Sequence, residues 1–382
     1  MASFMDQIDR RGDIKNSTRW VIKIGSSLLT DHGKGLDRGA IDSWAEQIEG
    51  LWAAGKEVVL VSSGAIAAGM SRLNWTRRPQ AIGHLQAAAA VGQMGLVQTY
   101  ETSFKRFNRQ TAQILLDHDD MANRERYLNA RSTLQTLLSH SVIPIVNEND
   151  TVVTDEIRFG DNDRLAAIVA NLLDSEVLVI LTDQEGLFDS DPKHNAKACL
   201  ISEVESDDIQ LDAAASGGNT NIGRGGMLTK LQAARQAANS GCSTIIAGGS
   251  CDKIITRIAD GQKVGTLLTT NKKPLTARKK WLASQLQVRG ALHLDDGASE
   301  VLMLQGRSLL AVGVVQVEGE FSRGDLVSCL NTNKQEIARG LTNYSAADAN
   351  LIKGKGTSSI FGSLGFREED ELIHRDNLVV LN

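Results

Sequence analysis

The sequence has 382 residues, of which 42% are hydrophobic and 23% charged, so it can build a globular core, and its length favours two domains. Its net charge of −5 excludes the strongly basic composition of a general nucleic-acid-binding chain. No apolar run is long enough for a membrane helix, and the first residues lack the apolar centre of a secretory signal. The four cysteines form no C-x-x-C pair, which argues against a zinc knuckle or a disulfide framework, and we expect a reduced, cytoplasmic protein.

Up to about residue 270, short β-branched runs alternate with longer amphipathic or alanine-rich runs. This alternation predicts an α/β fold, in which helices cover both faces of a mostly parallel open sheet. In chain order, the predicted strands are RWVIKIGSS, EVVLVSSGA, QTAQILL, VIPIVNEND, SEVLVILTDQ and STIIAGGS. The predicted helices between them include LDRGAIDSWAEQIEGLWAAG, AIGHLQAAAAVGQMGLVQTYETSFKRF and NRERYLNARSTLQTLLSHS. Several of these strands are apolar on both faces, as buried parallel strands are.

From about residue 275 the long helical periodicity ends, and short apolar runs alternate with glycine turns. This pattern predicts a small β-rich domain, a barrel, over residues 280–382. The stretch LIKGKGTSS near its end is interpreted as a loop. A basic cluster of Arg278, Lys279 and Lys280 precedes the domain.

Small or polar residues follow five of the predicted strands. They are Gly25-Ser26-Ser27, Ser62-Ser63-Gly64, Asn147-Glu148-Asn149-Asp150, Thr182-Asp183 and Gly248-Gly249-Ser250. Ligands of open α/β sheets bind outside the carboxyl ends of the strands. The five polar ends therefore predict one shared binding crevice, although ordinary surface loops are polar too.

The stretch NIGRGGMLTKLQAARQAA places three glycines and an arginine directly before a predicted helix. It is either a glycine turn followed by a surface lysine, or a site where backbone N–H groups bind an anion beside Lys230. Lys23, the charged residue within the strand VIKI, leaves a similar choice. Its side chain either reaches solvent at the strand end or supplies a cation to an anionic crevice. Two lysines on one phosphate chain would suit phosphoryl transfer.

Several known site motifs are absent from the sequence: G-x-x-x-x-G-K-[ST], a full G-x-G-x-x-G, H-E-x-x-H and a complete calcium loop. Carboxylates and amides remain. Asp161 and Asp163 flank Asn162 at the start of a predicted helix. One of the two could cap that helix, and Asp163 could instead hold the two lysines in register. The sequence NEND, which includes Asp150, is either an ordinary turn or a set of groups for a small polar substrate.

Eight stretches of the chain resemble, in the same order, sequence blocks of the amino acid kinase family. They are VIKIGSSLLT, VSSGAIAAG, AAAAVGQ, RERYLNAR, PIVNENDTV, FGDNDRLAA, LTDQEGLFDSDP and GRGGMLTKLQAA. The later stretch LLAVGVVQVEGEFSRGDLVSC is similar to a PUA domain. We therefore expect a polar extension at 1–18, a domain with the amino acid kinase fold at 19–272, a linker at 273–285 and a PUA-like domain at 286–382.

The resemblance implies transfer of the γ-phosphate of ATP, with Mg²⁺, to the γ-carboxylate of L-glutamate, which gives γ-glutamyl 5-phosphate in the first step of proline biosynthesis. At matching positions it implies catalytic roles for Lys23 and Lys230, which would stabilise phosphates, and for Asp163, which would organise the lysines. The implied glutamate-binding residues are Ser63, Gly64, Ala65, Asn147, Asp150 and Asn162, with Asp150 beside the α-ammonium group. The implied ATP-binding residues are Lys23, Gly25, Ser26, Thr182, Asp183, Arg224, Gly225, Gly226, Met227, Leu228, Thr229 and Lys230. No protein ligand to a metal is implied, because Mg²⁺ would bind chiefly phosphate oxygens and water.

The glycine-rich stretch GRGGMLTK departs from the family pattern at two positions. Arg224 stands in place of a threonine, and Leu228 in place of a serine. Arg224 either tightens nucleotide binding or faces solvent. The resemblance also implies feedback inhibition by proline and a homo-oligomer, either a dimer or a tetramer.

Other functions stay open on the sequence. Within the same class, the alternative is a kinase for aspartate, N-acetylglutamate, carbamate or UMP, but NEND, GDND and the PUA-like tail favour glutamate. From another class, the PUA-like tail and the basic cluster at 278–280 would allow RNA contact, which the acidic balance opposes. A catalytically inactive regulator is disfavoured, because both lysines and Asp163 are present.

Overall fold

The computed structural model describes residues 10–30, 35–117, 120, 123–152, 162–192, 194–209, 211–212, 226–270 and 288–381. The chain divides into two compact units. The first unit draws on residues 1–118 and 133–274, and the second on residues 119–132 and 275–382. The predicted linker at 273–285 and the basic cluster at 278–280 lie outside the described residues.

The first unit is built around one sheet. Its described strands are β1 (Arg19–Ile24), β2 (Glu57–Ser62), β3 (Thr111–Leu116), β4 (Ile143–Glu148), β5 (Val177–Thr182), β6 (Glu203–Glu205), β7 (Ser243–Gly248) and β8 (Thr266–Thr269). The described helices up to residue 270 are α1 (Arg10–Asn16), α2 (Ser26–Leu29), α3 (Arg38–Ala53), α4 (Ala65–Arg72), α5 (Ile82–Lys105), α6 (Arg124–Ser139), α7 (Asp163–Leu172), α8 (Met227–Ala238) and α9 (Ile254–Ala259). All six predicted strands and the three predicted helices quoted above are present, within a few residues of their predicted bounds.

The strand order in this sheet is β3-β4-β2-β1-β5-β7-β8-β6. The neighbours from β3 to β7 pair in parallel, and β8 pairs antiparallel with β7. The predicted mostly parallel α/β fold is therefore confirmed, while β6 and β8 are additions that the sequence pattern did not predict. The register aligns the strand ends, since Ile24 pairs with Ser62 and Thr182 pairs with Gly248.

The central strands carry apolar side chains on both faces because helices cover both sides of the sheet. Every residue of β4 and β5 is buried. Each residue of β1 after Arg19 is buried as well, and this includes Lys23. Burial of apolar area contributes about 25 cal/mol per Å², so burial on this scale supplies the main stabilisation of the unit. It also holds the central strands in fixed positions.

Two glycines bring α4 and α5 into direct backbone contact. A Cβ atom on Gly92 would lie 1.8 Å from the carbonyl oxygen of Ala65, and a Cβ atom on Gly69 would lie 1.7 Å from the carbonyl oxygen of Ala88. Any larger residue at either position would push the helices apart. The two helices thus form one tightly packed pair beside the carboxyl end of β2.

The second unit contains a separate sheet. Its strands are β9 (Gly290–Leu294), β10 (Val314–Gly319), β11 (Leu326–Leu330), β12 (Glu336–Leu341) and β13 (Leu378–Val380), in the order β10-β9-β11-β12-β13. It also contains α10 (Asp296–Glu300), α11 (Ala346–Ile352) and α12 (Ile360–Leu364). The predicted β-rich domain is confirmed. The loop interpretation of LIKGKGTSS is partly wrong, because Leu351 and Ile352 end α11 and Thr357–Ser359 form a 3₁₀ turn.

Among the helices in the described part of the chain, none combines the length and the apolar character needed to cross a membrane.

Candidate functional site

Two lysines from distant parts of the sequence meet at one buried carboxylate. Lys23 Nζ lies 2.6 Å from Asp163 Oδ1, and Lys230 Nζ lies 3.0 Å from Asp163 Oδ2. The three residues are 2%, 5% and 0% exposed, in the order Lys23, Lys230 and Asp163. Burying ionised groups is costly unless they are paired. Here the two ammonium groups bind different oxygens of the same Asp163 carboxylate. The cluster therefore carries one net positive charge that is excluded from bulk water.

The structure excludes the solvent-exposed alternative that the sequence left open for the two lysines. Lys23 points from β1 into the interior, so the side chain does not reach solvent at the strand end. Lys230 is buried in the first turn of α8 and is not a surface lysine. Asp163 is the first residue of α7, and no side chain caps that helix at Asn162. The carboxylate of Asp163 contacts both lysines, whereas Asp161 lies outside the described residues.

The first turn of α8 is tied to the same carboxylate. Gly226 precedes the helix in an extended conformation, and the Thr229 hydroxyl donates to the Gly226 carbonyl oxygen at 2.7 Å and contacts Asp163 Oδ2 at 3.1 Å. Met227 and Leu228 are partly exposed at the helix start. Arg224 and Gly225, the other predicted residues of this loop, lie outside the described residues.

Three side-chain amides form a hydrogen-bonded chain that begins at Asn162, the residue before Asp163. Asn162 Nδ2 donates to the Ser62 carbonyl oxygen and to Asn147 Oδ1, both at 2.7 Å. Asn147 Nδ2 in turn donates to Gln93 Oε1 at 2.6 Å. The chain links the carboxyl ends of β2 and β4 to α5. It brings together two of the predicted glutamate-binding residues, Asn147 and Asn162.

The other predicted glutamate-binding residues surround these strand ends. Ser63 is 1% exposed, and its hydroxyl has no hydrogen-bond partner among the residues that the structure describes. Gly64 has a φ of +89°, a left-handed conformation that suits glycine, and it turns the chain from β2 into α4 at Ala65. Asp150, just beyond β4, is 4% exposed.

The side chain of Ser62 contacts a buried tyrosine. Its hydroxyl lies 3.2 Å from the hydroxyl of Tyr100 on α5, and complete burial raises the pKa of that tyrosine, so the phenol stays neutral. This contact fixes the end of β2 without placing another charge at the site.

Four of the predicted ATP-binding residues lie at the ends of the neighbouring strands β1 and β5: Gly25, Ser26, Thr182 and Asp183. The Gly25 N–H donates to the Leu181 carbonyl oxygen at 3.1 Å, which ties the start of α2, at Ser26, to the end of β5. Thr182 and Asp183 share a hydrogen bond of 3.0 Å. A cavity of about 620 Å³ is lined by Ser27, Asp183 and residues 249–252, so three of the five predicted strand ends share one space.

The sequence did not single out Gln93, although it lies within the stretch AAAAVGQ. Its part in the amide chain depends on the hydrogen bond from Asn147 of β4, a tertiary contact that has no local signature. In the described part of the chain, no group of three or more metal-ligating side chains is found.

The comparison with protein families agrees with this geometry. Residues 18–248 match the model of the amino acid kinase family, and residues 290–360 match the model of the PUA domain. The chain belongs to the amino acid kinase family. Membership was predicted from the sequence blocks and is confirmed, and so is the PUA domain.

Similar proteins narrow the class further. The glutamate 5-kinase of Pseudomonas fluorescens strain Pf-5 is 58% identical over 371 residues, which cover 97% of this chain and 100% of that protein. The glutamate 5-kinase of Thioalkalivibrio sulfidiphilus strain HL-EbGR7 is 59% identical over 371 residues, with 97% and 99% covered. Carbamate kinase from Giardia lamblia bound to AMP-PNP is a solved structure with 17% identity and a TM-score of 0.49 over 67% of this chain and 100% of its own. The sequence similarity places the chain among the glutamate 5-kinases, which are phosphotransferases.

Proposed function

We propose that this chain transfers the γ-phosphoryl group of ATP to the γ-carboxylate of L-glutamate and forms γ-glutamyl 5-phosphate, the first step of proline biosynthesis. The observation that carries the proposal is the buried cluster of Lys23, Asp163 and Lys230. The names of the similar proteins support glutamate as the acceptor.

Phosphoryl transfer needs positioned positive charge more than covalent chemistry from the protein. Lys23 and Lys230 supply two ammonium groups whose spacing Asp163 fixes before the substrates arrive. During transfer, negative charge is spread over the oxygens of the moving phosphoryl group, and preorganised cations in a dry site stabilise it most strongly. The acceptor carboxylate is already ionised at neutral pH, so an attacking oxygen is available without a general base.

Glutamate would be held by the groups next to this cluster. The carboxylate of Asp150 supplies a partner for the α-ammonium group, and the Ser63 hydroxyl and the backbone at Gly64 and Ala65 supply hydrogen bonds to a small polar ligand. Both N–H groups of Asn162 are donated to Ser62 and Asn147, so Asn162 offers the substrate its Oδ1, which can accept from the α-ammonium group. The γ-carboxylate, which needs donors, would then face the lysines and the phosphoryl group.

ATP would bind at the ends of β1 and β5 and at the start of α8. To this region we assign Gly25, Ser26, Thr182, Asp183 and Gly226 to Lys230, the described residues for which the resemblance implies ATP binding. The Mg²⁺ that accompanies ATP would bind its phosphate oxygens and water, because the carboxylate nearest the lysines, Asp163, already binds two ammonium groups. Mg²⁺ supplies further neutralisation of phosphate charge when it is bound.

The test is ATP-dependent phosphorylation of L-glutamate with hydroxylamine as the trap for the acyl phosphate. Aspartate, N-acetylglutamate, carbamate and UMP serve as matched acceptors in a coupled ADP assay. We expect the glutamyl hydroxamate with glutamate and a kcat/KM for glutamate far above that of the other acceptors. A higher value for any of the four would reassign the substrate, and no turnover with any would reject kinase activity.

Three further parts of the proposal rest on the resemblance. Proline would inhibit by competing at the glutamate site, which the same assay measures with added proline. The chain would form a dimer or tetramer, which light scattering after gel filtration measures. RNA binding by the PUA domain stays a prediction, because the basic cluster at 278–280 lies outside the described residues. A salt titration of tRNA binding tests it, since phosphate contacts give a steep salt dependence.

A further inference from the structure

The amide chain beside the lysine cluster has a fixed direction. It starts at the backbone carbonyl of Ser62, which can only accept a hydrogen bond. Asn162 must therefore present its Nδ2 to that carbonyl, and the second N–H of the same nitrogen reaches Asn147 Oδ1. Asn147 Nδ2 then points towards Gln93, and Gln93 Oε1 accepts its hydrogen bond. A single carbonyl thus orients all three amides.

The direction of the amide chain leaves a hydrogen-bond donor, and not an acceptor, at its far end. Gln93 Nε2, a donor with two N–H groups, is shielded from solvent and has no hydrogen-bond partner among the described residues. A shielded donor without an acceptor costs about 1–3 kcal/mol, so such groups in native sites are commonly completed by a ligand. The donor therefore calls for an acceptor of the substrate.

We propose that Gln93 is a substrate-binding residue, and that its Nε2 donates to the α-carboxylate of the amino-acid substrate. This inference rests on the proposed function, because it assumes an amino-acid acceptor whose γ-carboxylate is phosphorylated. A carboxylate fits the donor because it accepts hydrogen bonds only, and bonds from neutral donors to charged acceptors are stronger than neutral pairs.

The position of Gln93 selects the α-carboxylate over the γ-carboxylate. Asn162 is the neighbour of Asp163, and the amide chain runs from it to Asn147 on β4, which β2 separates from the strand of Lys23. The γ-carboxylate belongs at the lysine end, where phosphoryl transfer takes place. The two remaining groups of glutamate lie at the other end, where Asp150 offers negative charge to the ammonium group and Gln93 offers N–H groups to the α-carboxylate.

The backbone holds Gln93 in place for this role. The preceding residue, Gly92, packs so closely against α4 that a Cβ atom would lie 1.8 Å from the Ala65 carbonyl oxygen. Ala65 is itself a predicted glutamate-binding residue. The two sides of the pocket therefore share one rigid contact, and the Gln93 side chain extends from a fixed point on α5.

Two variants of Gln93 separate substrate binding from a structural role. In Gln93→Glu, the accepting oxygen for Asn147 is kept, but the N–H groups are replaced by a negatively charged oxygen. In Gln93→Met, a side chain of similar length loses both functions. We expect Gln93→Glu to raise the glutamate KM by about 100-fold or more and Gln93→Met to raise it about 10-fold, the range for hydrogen bonds to a charged group. The KM for ATP should change less than about twofold in both, because the chain contacts the amino-acid side.

The opposite order overturns the inference. If Gln93 only supports Asn147, Gln93→Glu keeps that support and has the native KM for glutamate, while Gln93→Met is impaired. Melting temperatures of both variants show that each is folded before KM is compared. The native chain in the hydroxamate assay separates the two proposals: no glutamyl hydroxamate rejects the proposed function, whereas native activity with an unchanged KM in Gln93→Glu rejects the role of Gln93 alone.

Discussion

Replacing Asp163 by Asn removes the charge that holds the two lysines while it keeps the size of the side chain. At an effective dielectric constant of about 20, charges separated by the observed 2.6 and 3.0 Å attract each other by about 6 kcal/mol per pair before desolvation is counted. Breaking a buried pair costs about 3–5 kcal/mol net, because the remaining charge has no partner. In Asp163→Asn, the new amide can accept from one ammonium only, and its N–H groups face the other.

The consequence is a loss of charge alignment in the transition state. If the 3–5 kcal/mol appears in the activation barrier, kcat falls by about 10²- to 10⁴-fold. The assay is the steady-state rate of glutamyl hydroxamate formation at saturating ATP and glutamate, with circular dichroism and the melting temperature measured on the same sample. Thr229→Val is the matched control, because it removes the hydroxyl that contacts Asp163 Oδ2 and leaves all three charges, so kcat should fall by less than about tenfold. A folded Asp163→Asn protein with kcat within tenfold of native would refute the role assigned to the carboxylate.

The remaining predictions concern Lys230, the proposed substrate-binding residue Asp150 and the structural residue Glu176. Lys230→Met should lower kcat by about 10²- to 10³-fold, as loss of a preorganised charge stabiliser does, with Lys230→Arg as the charge-retaining comparison; near-native turnover of the methionine variant would remove Lys230 from the mechanism. Asp150→Ala should raise the glutamate KM at least about tenfold with little change for ATP, and an unaltered glutamate KM would contradict the assignment to the α-ammonium group. Burial opposes ionisation of Glu176, but hydrogen bonds from Thr18 and Arg19 and the nearby Lys56 outweigh it and hold its pKa below the ordinary 4.5. Because the folded pKa is lowered, this carboxylate stabilises the protein above about pH 4.5, and the stabilisation is lost as the pH falls through the folded pKa. Glu176→Gln should therefore melt below the native protein at pH 7, and the difference should shrink towards pH 3; a difference independent of pH would show that ionisation is not its cause.

The strands were predictable because each is an apolar run bounded by polar residues. β5, with the sequence VLVILT, is buried throughout and needs no knowledge of its neighbours to be recognised. β8 is only four residues long, and its antiparallel pairing with β7 depends on tertiary contacts, so its sequence TLLT was not distinguished from a loop. The same applies to α11, a short helix whose end was interpreted as part of a loop.

The site was predictable in its residue types and less so in its contacts. Lysine within an apolar strand and lysine after a glycine run are local signals, so both could be singled out from the sequence. That they share one carboxylate is a property of the fold, since Lys230 and Asp163 are 67 residues apart. Gln93 left no local signal, because its significance comes from the direction of the hydrogen bonds that start at Ser62. The catalytic and binding roles of all these residues stay predictions until variants are measured.

The contact between α4 and α5 at Gly69 and Gly92 has a consequence for how the enzyme discriminates among substrates. Under the proposed function these helices are two walls of the amino-acid pocket, and walls that touch through their backbones should not widen for a bulkier amino acid without breaking the helix pair. A rigid pocket would lose little conformational entropy when the acceptor binds, which favours affinity. We therefore predict that the size limit on the acceptor depends on two missing side chains, at positions where even a methyl group would be too large.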